Sequence, residues 1–245
     1  MRSCLVNLYH GDEMMPFLLN SQRSLDKSGT VFDQKFLFHT GIPSSDLMSA
    51  ALEFKLELVE IKLEINNEYS EYGTKNFNLI TAEKWRIIND VLNSGFELAV
   101  YADLDIYYIS NFLPFIKQTS TLYSMGMQSE AMPTFPPYCC TGFMFFSGAS
   151  KELLNELYKL NVLNVNKGND QQLFNTIYRK SPKLIREIFL LPEALFQNGL
   201  AHPYHTSSAV GYAAGYLKPF LFHANYVQGL TNKISLLKHV EMWNP

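Results

Sequence analysis

Leu98 to Asn111 reads LAVYADLDIYYISN, an apolar run that ends in two carboxylates one residue apart. Leu98, Ala99, Val100, Tyr101 and Ala102 have the nearly continuous apolar pattern of a central strand covered on both faces. Alternate residues of a strand point to one face, so Asp103 and Asp105 are expected on the same side with β-carbons roughly 7 Å apart. That spacing suits a shared hard cation. Carboxylates at the carboxyl end of such a strand open onto the crevice where open α/β sheets bind ligands. Asp-x-Asp alone also decorates solvated turns, and its place in the chain decides between the two.

Upstream, Cys4–Tyr9 (CLVNLY) reads as a short buried strand, His10-Gly11-Asp12 as a turn, and Pro16 to Asp26 as a helix with proline in its first turn. Lys35–Thr40 (KFLFHT) is a second strand. Leu47, Ala50, Ala51 and Phe54 follow at the i, i+3, i+4, i+7 spacing of a helix with one buried stripe. Val59 to Ile65 alternates apolar and charged residues like a half-exposed edge strand. A helix over Thr81 to Ser94 leads into the Asp-containing strand. Beyond it, Gly142–Ser147 is a strand, Lys151–Leu160 a helix with Leu153, Leu154, Leu157 and Leu160 inward, and Asn169–Arg179 a further helix. This alternation builds an α/β fold, a mixed, mostly parallel sheet flanked by helices. The last sixty residues, rich in Gly, Pro and aromatics, read as ordered loops around a site.

At 245 residues the chain is long enough for a sizeable core and reads as a single domain, residues 1–111 forming a nucleotide-binding half and 112–245 the other. A hydrophobic content of 47%, 18% charged residues and a net charge of −3 give no global attraction to nucleic acid or anionic membrane. An anionic ligand must then be met by local cations or by a metal. Cys4, Cys139 and Cys140 are too few for a disulfide framework and lack zinc-knuckle spacing, which indicates a reducing compartment. With a strand starting near Cys4 and no membrane-length apolar run, a cytoplasmic protein is expected.

Three further segments carry candidate chemistry. On a helical wheel, Ile87, Ile88, Val91, Leu92 and Trp85 all fall on the same side as Lys84, flanking it left and right. Lys84 thus lies inside the apolar arc, while Arg86, Asn89, Asp90 and Asn93 lie opposite. Either it snorkels to water, or its ammonium emerges in the crevice to meet a nucleotide or pyrophosphate. His223 to Lys238 (HANYVQGLTNKISLLK) groups an imidazole, a glycine and a lysine, which suits a metal ligand, a backbone amide and a phosphate-binding cation. Asn169-Asp170-Gln171 precedes the apolar stripe Leu173, Phe174, Ile177 and is well suited to cap a helix, a role that leaves it free to face a site as well.

Taken in order, YGTKNFNLITAEKWRIINDVLNSG, LAVYADLDIYYISN, CCTGFMFFS, NDQQLFN, LPEALFQNG and HANYVQGLTNKI make the chain resemble the nucleotide-diphospho-sugar transferases of GT-A fold, the family that includes plant cell-wall xylosyl- and arabinosyltransferases. The resemblance runs from about Tyr72 to Lys238. It implies that Asp103, Leu104 and Asp105 form the DxD motif, which holds Mn²⁺ or Mg²⁺ against the donor diphosphate, with His223 as the third protein ligand. Gly229 and Lys233 then match the phosphate-binding segment, Lys84 the lysine near the donor, Thr141 and Gly142 the strand lining the sugar pocket, and Asp170 and Gln171 the pair beside the reacting sugar. Tyr9 and His10, with Asp12, are candidates for contacts to the base. Cys140 stands where the family often has Asn, which points to a different donor sugar.

The implied reaction moves a sugar from a nucleoside-diphosphate sugar, expected to be a UDP-sugar, to a glycan or other hydroxyl acceptor with retention of anomeric configuration. Two other readings compete. A sugar-phosphate nucleotidyltransferase uses similar carboxylates but carries a glycine-rich basic loop after its first strand, where this chain has HGDEMMP. A degenerate domain would bind nucleotide or glycan without turnover.

Overall fold

The computed structural model describes residues 1–63, 65, 68–130, 134–199 and 218–245. Its central sheet has seven strands in the order β3-β2-β1-β4-β7-β6-β8: β1 (Ser3–Tyr9), β2 (Gln34–Thr40), β3 (Leu56–Ile61), β4 (Leu98–Ala102), β6 (Met125–Ser129), β7 (Cys139–Ser147) and β8 (Ile188–Leu191). Only β7 runs antiparallel to its neighbours β4 and β6. A second sheet joins β5 (Ile106–Tyr108), β10 (Leu221–His223) and β9 (Phe196–Asn198). The helices are α1 (Met15–Ser28), α2 (Ser45–Phe54), α3 (Lys75–Asn93), α4 (Leu113–Thr119), α5 (Lys151–Leu163), α6 (Asp170–Tyr178), α7 (Pro182–Glu187) and α8 (Leu230–His239). This mixed, mostly parallel sheet flanked by helices is the expected fold class.

The continuous apolar run of β4 has a simple cause. Ala99 and Tyr101 enter a core with Trp85, Ile88, Phe146 and Phe174 on one face. Leu98, Val100 and Ala102 enter a second core with Phe143, Phe145 and Phe196 on the other. A third core, around Phe17, Leu37, Phe222 and Leu237, joins α1 and α2 to the carboxyl-terminal segment. Trp85 stacks on Phe174 at 5.7 Å between centroids and meets Phe146 edge-on at 6.3 Å, which locks α3 and α6 onto the sheet.

Local signals set the helix ends. The Ser44 hydroxyl accepts from Leu47 N, and Lys55 closes α2 in the left-handed region at φ 54. All four expected stripe residues, Leu47, Ala50, Ala51 and Phe54, are buried. Asn169 and Gln172 form a capping box at α6, two backbone N–H groups satisfied reciprocally.

Several sequence expectations are corrected. The edge strand is Leu56–Ile61 rather than Val59 to Ile65, because its register follows β2, with Lys35 opposite Leu56 and Thr40 opposite Ile61. Glu64, in the expected alternation, lies outside the described residues. α3 begins at Lys75 rather than Thr81, since Thr74 caps it by accepting from Phe77 N. Lys84 is therefore mid-helix. Within α5, Leu154 and Leu157 are buried, whereas Leu153 and Leu160 are only half-buried. The last sixty residues hold three strands, α8 and the end of α7 among those described, so they are not loops alone; residues 200–217 lie outside the described part.

Candidate active site

A cavity of about 440 Å³ opens at the carboxyl ends of β1 and β4. The chain leaves β4 at Ala102, so Asp103 and Asp105 lie in the turn to β5 and not on a strand face. The turn, rather than the strand pleat, brings the carboxylates together. Asp103 N donates to Gly142 O on β7 (2.7 Å), and Ala224 N, just after β10, donates to Asp105 O (3.0 Å).

His223 ends β10 opposite Ile106, and this pairing carries its ring to the turn. Its Nε2 lies 3.2 Å from Asp105 Oδ1 and 4.0 Å from Asp103 Oδ2. One ligand atom from each of the three residues falls within 4.8 Å of the others, a donor set of two carboxylates and an imidazole that fits a divalent cation. Gly142 makes the space: a Cβ there would meet His223 Cε1 at 2.1 Å and Asp103 Oδ2 at 2.8 Å. Gly142 itself is not among the residues lining the cavity; it packs behind His223 and Asp103, while Thr141 beside it does line the cavity.

Lys233, one turn into α8, hydrogen-bonds Asp105 Oδ2. Burial alone would raise the Asp105 pKa, but Lys233 and His223 outweigh it and hold the carboxyl well below the usual range. Gly229, at φ 81, is the N-cap of α8 and also lines the cavity.

Lys84 is 5% exposed, which removes the snorkelling explanation. Its Nζ lies 3.2 Å from Asp103 Oδ1 and 3.2 Å from Asp170 Oδ2, and 5.1 Å from the centre of the Tyr101 ring. Burial would lower its pKa, but the two carboxylates overcome it and keep the ammonium charged. Asp170 is itself 3% exposed and does not cap its helix, because Asn169 does. Its Oδ2 has this ion pair but no hydrogen bond among the described residues.

Gln171 accepts from Thr141 N (3.1 Å) and donates to Glu130 Oε1 (3.2 Å). Asn225 Nδ2 donates to the same oxygen (3.3 Å), and the Tyr226 hydroxyl donates to Glu130 O. Among the described residues, Glu130 is thus a buried carboxylate on the cavity wall held by amides rather than by an ammonium. Cys140 lines the cavity beside it; burial, then Glu130, pushes its thiol pKa up.

The structure therefore gathers Asp103, Leu104, Asp105, Thr141, Asp170, Gln171, His223, Gly229, Lys233 and Lys84 around one cavity. His10 also lines it, with Nδ1 2.7 Å from Thr40 Oγ1 and Nε2 3.3 Å from Ser70 Oγ. Tyr9 does not. Its side chain points from the other face of β1 into the third core, with the hydroxyl donating to Asp12 Oδ1 at 3.3 Å. Sequence reading missed Glu130 and Asn225, whose neighbours come from distant segments, and Gln128, which contacts His223 from β6. No local pattern marks them.

The profile of the nucleotide-diphospho-sugar transferase family matches residues 46–237. No curated protein sequence is significantly similar to the chain. Among solved structures, the chain is similar to a glycosyltransferase involved in glycosylating the major capsid of PBCV-1, at 12% identity and a TM-score of 0.58, covering 99% of this chain and 100% of that one. It is similar to the galactosyltransferase LgtC in complex with donor and acceptor sugar analogues, at 11% identity, a TM-score of 0.62 and coverage of 98% and 94%. Mouse xyloside xylosyltransferase 1 follows at 13% identity, a TM-score of 0.57 and coverage of 91% and 98%. The fold they share is GT-A. Among the described residues, no helix is long and apolar enough to cross a membrane.

Proposed function

Because the chain belongs to the nucleotide-diphospho-sugar transferase family and is a glycosyltransferase, we propose that it moves a sugar from UDP to a glycan or other hydroxyl acceptor, dependent on Mn²⁺ and with retention of configuration. The observation that carries this is the convergence of Asp103, Asp105 and His223 in one cavity with Lys84 and Lys233. Membership in a transferase family, together with the absent glycine-rich loop, disfavours the nucleotidyltransferase reading, and the complete set of site residues disfavours a degenerate domain.

The charges favour a divalent cation. Four acidic side chains, Asp103, Asp105, Glu130 and Asp170, outnumber the two lysines, Lys84 and Lys233, in the cavity that an anionic donor would enter. Asp103, Asp105 and His223 would hold the metal, which supplies charge neutralisation to a departing diphosphate, usually the largest catalytic contribution in such a transfer. Lys233, in the first turn of α8, would meet the same phosphate. Lys84 balances the Asp170 charge and fixes that side chain beside Gln171. Asp170 and Gln171 border the reacting sugar, while Glu130 and Asn225 offer a carboxylate and an amide to sugar or acceptor hydroxyls. His10, which lines the same cavity, would contact the base.

Titration calorimetry with a panel of nucleotide sugars, with Mn²⁺ or with EDTA, tests the metal and the donor together. Tight binding of a UDP-sugar only with Mn²⁺ is expected. Equal affinity in EDTA would overturn the role given to Asp103, Asp105 and His223, and an inverted product anomer seen by NMR would overturn retention.

A further inference from the structure

Gln128 is fully buried near the end of β6 and reaches across to the second sheet. Its Nε2 donates to Phe196 O (3.1 Å) and Gln197 O (3.0 Å), both on β9. Its Oε1 lies 2.9 Å from His223 Nδ1. The two carbonyls can only accept, so they fix which end of the amide faces β9 and leave Oε1, also an acceptor, toward the imidazole. The 2.9 Å contact is a hydrogen bond only when Nδ1 carries the hydrogen. In the neutral ring the lone pair falls on Nε2, the nitrogen that faces Asp105 and Asp103.

A register break places the amide there. β6 pairs Met127 with Met144 but Gln128 with Cys140, so Thr141, Gly142 and Phe143 bulge from β7 past this point. The bulge brings Gly142 against the His223 ring while β6 turns Gln128 beneath it. Cys140 Sγ, 3.7 Å from Nδ1, is the weaker of the two neighbours.

We propose that Gln128 is a positioning residue that sets the His223 tautomer and aims the Nε2 lone pair at the carboxylate pair, so that the three side chains present a ready cation site. This deepens the proposed metal dependence and rests on that reading. The outer partner of a ligating histidine is worth roughly 10–100-fold in metal affinity.

Two measurements on the full chain test it. In EDTA, side-chain ¹⁵N NMR followed upward in pH until the ring gives a neutral spectrum should show His223 as the Nδ1–H tautomer; an Nε2–H ring would overturn the proposal without reference to metal binding or activity. Mn²⁺ affinity of the folded protein, read by electron paramagnetic resonance, should fall about 10-fold or more in Gln128→Met, which keeps the shape and loses the acceptor. Gln128→Glu, which keeps an acceptor for Nδ1–H but loses the bonds to β9, should bind Mn²⁺ within about threefold of wild type. Unchanged affinity in Gln128→Met, or equal losses in both variants, would make Gln128 a structural link between the sheets and nothing more. If Gln128→Met does not fold, the wild-type tautomer still decides. If the wild type binds no Mn²⁺ while the Nδ1–H tautomer is present, the metal reading fails and the positioning of His223 stands.

Discussion

Replacing Lys84 by Met tests the site most directly, because it removes the charge and keeps the aliphatic stem. In the wild type, the ammonium lies 3.2 Å from both Asp103 and Asp170, and Asp170 is 3% exposed. Asp103 turns partly to water and has the Tyr101 hydroxyl at 2.8 Å, so it tolerates the loss. Asp170 has no other cation among the described residues. Breaking a buried pair from one side costs about 3–5 kcal/mol, since the remaining charge stays desolvated. At roughly 2–4 °C per kcal/mol for a chain of this size, the melting temperature should drop by about 6–20 °C. Adding Asp170→Asn removes the orphaned charge and should restore most of the loss. Thermal melts of wild type, both single variants and the double variant form the cycle. A Lys84→Met protein that melts within about 2 °C of wild type, or a double variant no better than Lys84→Met alone, would show that the pair is not the buried, coupled unit described.

Asp170→Asn by itself should leave donor and metal binding in place while lowering kcat by about 100-fold or more, as expected for a contact made in the transition state; an unchanged kcat would move the chemistry to Gln171 or to the donor phosphate. Gly142→Ala should cut Mn²⁺ affinity, because the added Cβ falls 2.1 Å from His223 Cε1, and wild-type affinity in that variant would show that the ring moves aside freely. Asp105 has a folded pKa below its unfolded value, so its contribution is present above about pH 4 and is lost as pH falls through the folded pKa. Asp105→Asn should therefore flatten the acid limb of stability against pH, and an unaltered limb would assign it to other groups.

Much of this fold is written in local sequence. The stripe Leu47, Ala50, Ala51, Phe54 specifies α2, and the unbroken run from Leu98 to Ala102 specifies a strand buried on both faces, because side-chain periodicity is a property of neighbouring residues. The same periodicity marks Lys84 as a polar residue in an apolar arc. It cannot say what the lysine meets, since Asp103 and Asp170 arrive from other elements. Reading Asp103 and Asp105 as neighbours on one strand face picks two residues that do lie together, but for the wrong geometric reason: the strand ends where β7 stops pairing with it at Ala102, and the turn and His223 set the convergence. β3 shows the same limit, because the register of an edge strand is set by its partner β2. Tyr9 and His10 are adjacent and in sequence both are candidates for the base, yet Tyr9, the last residue of β1, turns to the core while His10, just beyond the strand, turns to the cavity. Gln128 and Glu130 are illegible for a stronger reason. Their partners His223 and Asn225 lie 95 residues away along the chain, and only the packing of the second sheet against the first brings them into contact. Sequence alone determined which residue types stand ready for chemistry; the tertiary structure decided which of them touch, and so which atoms are left free to hold a cation or a sugar.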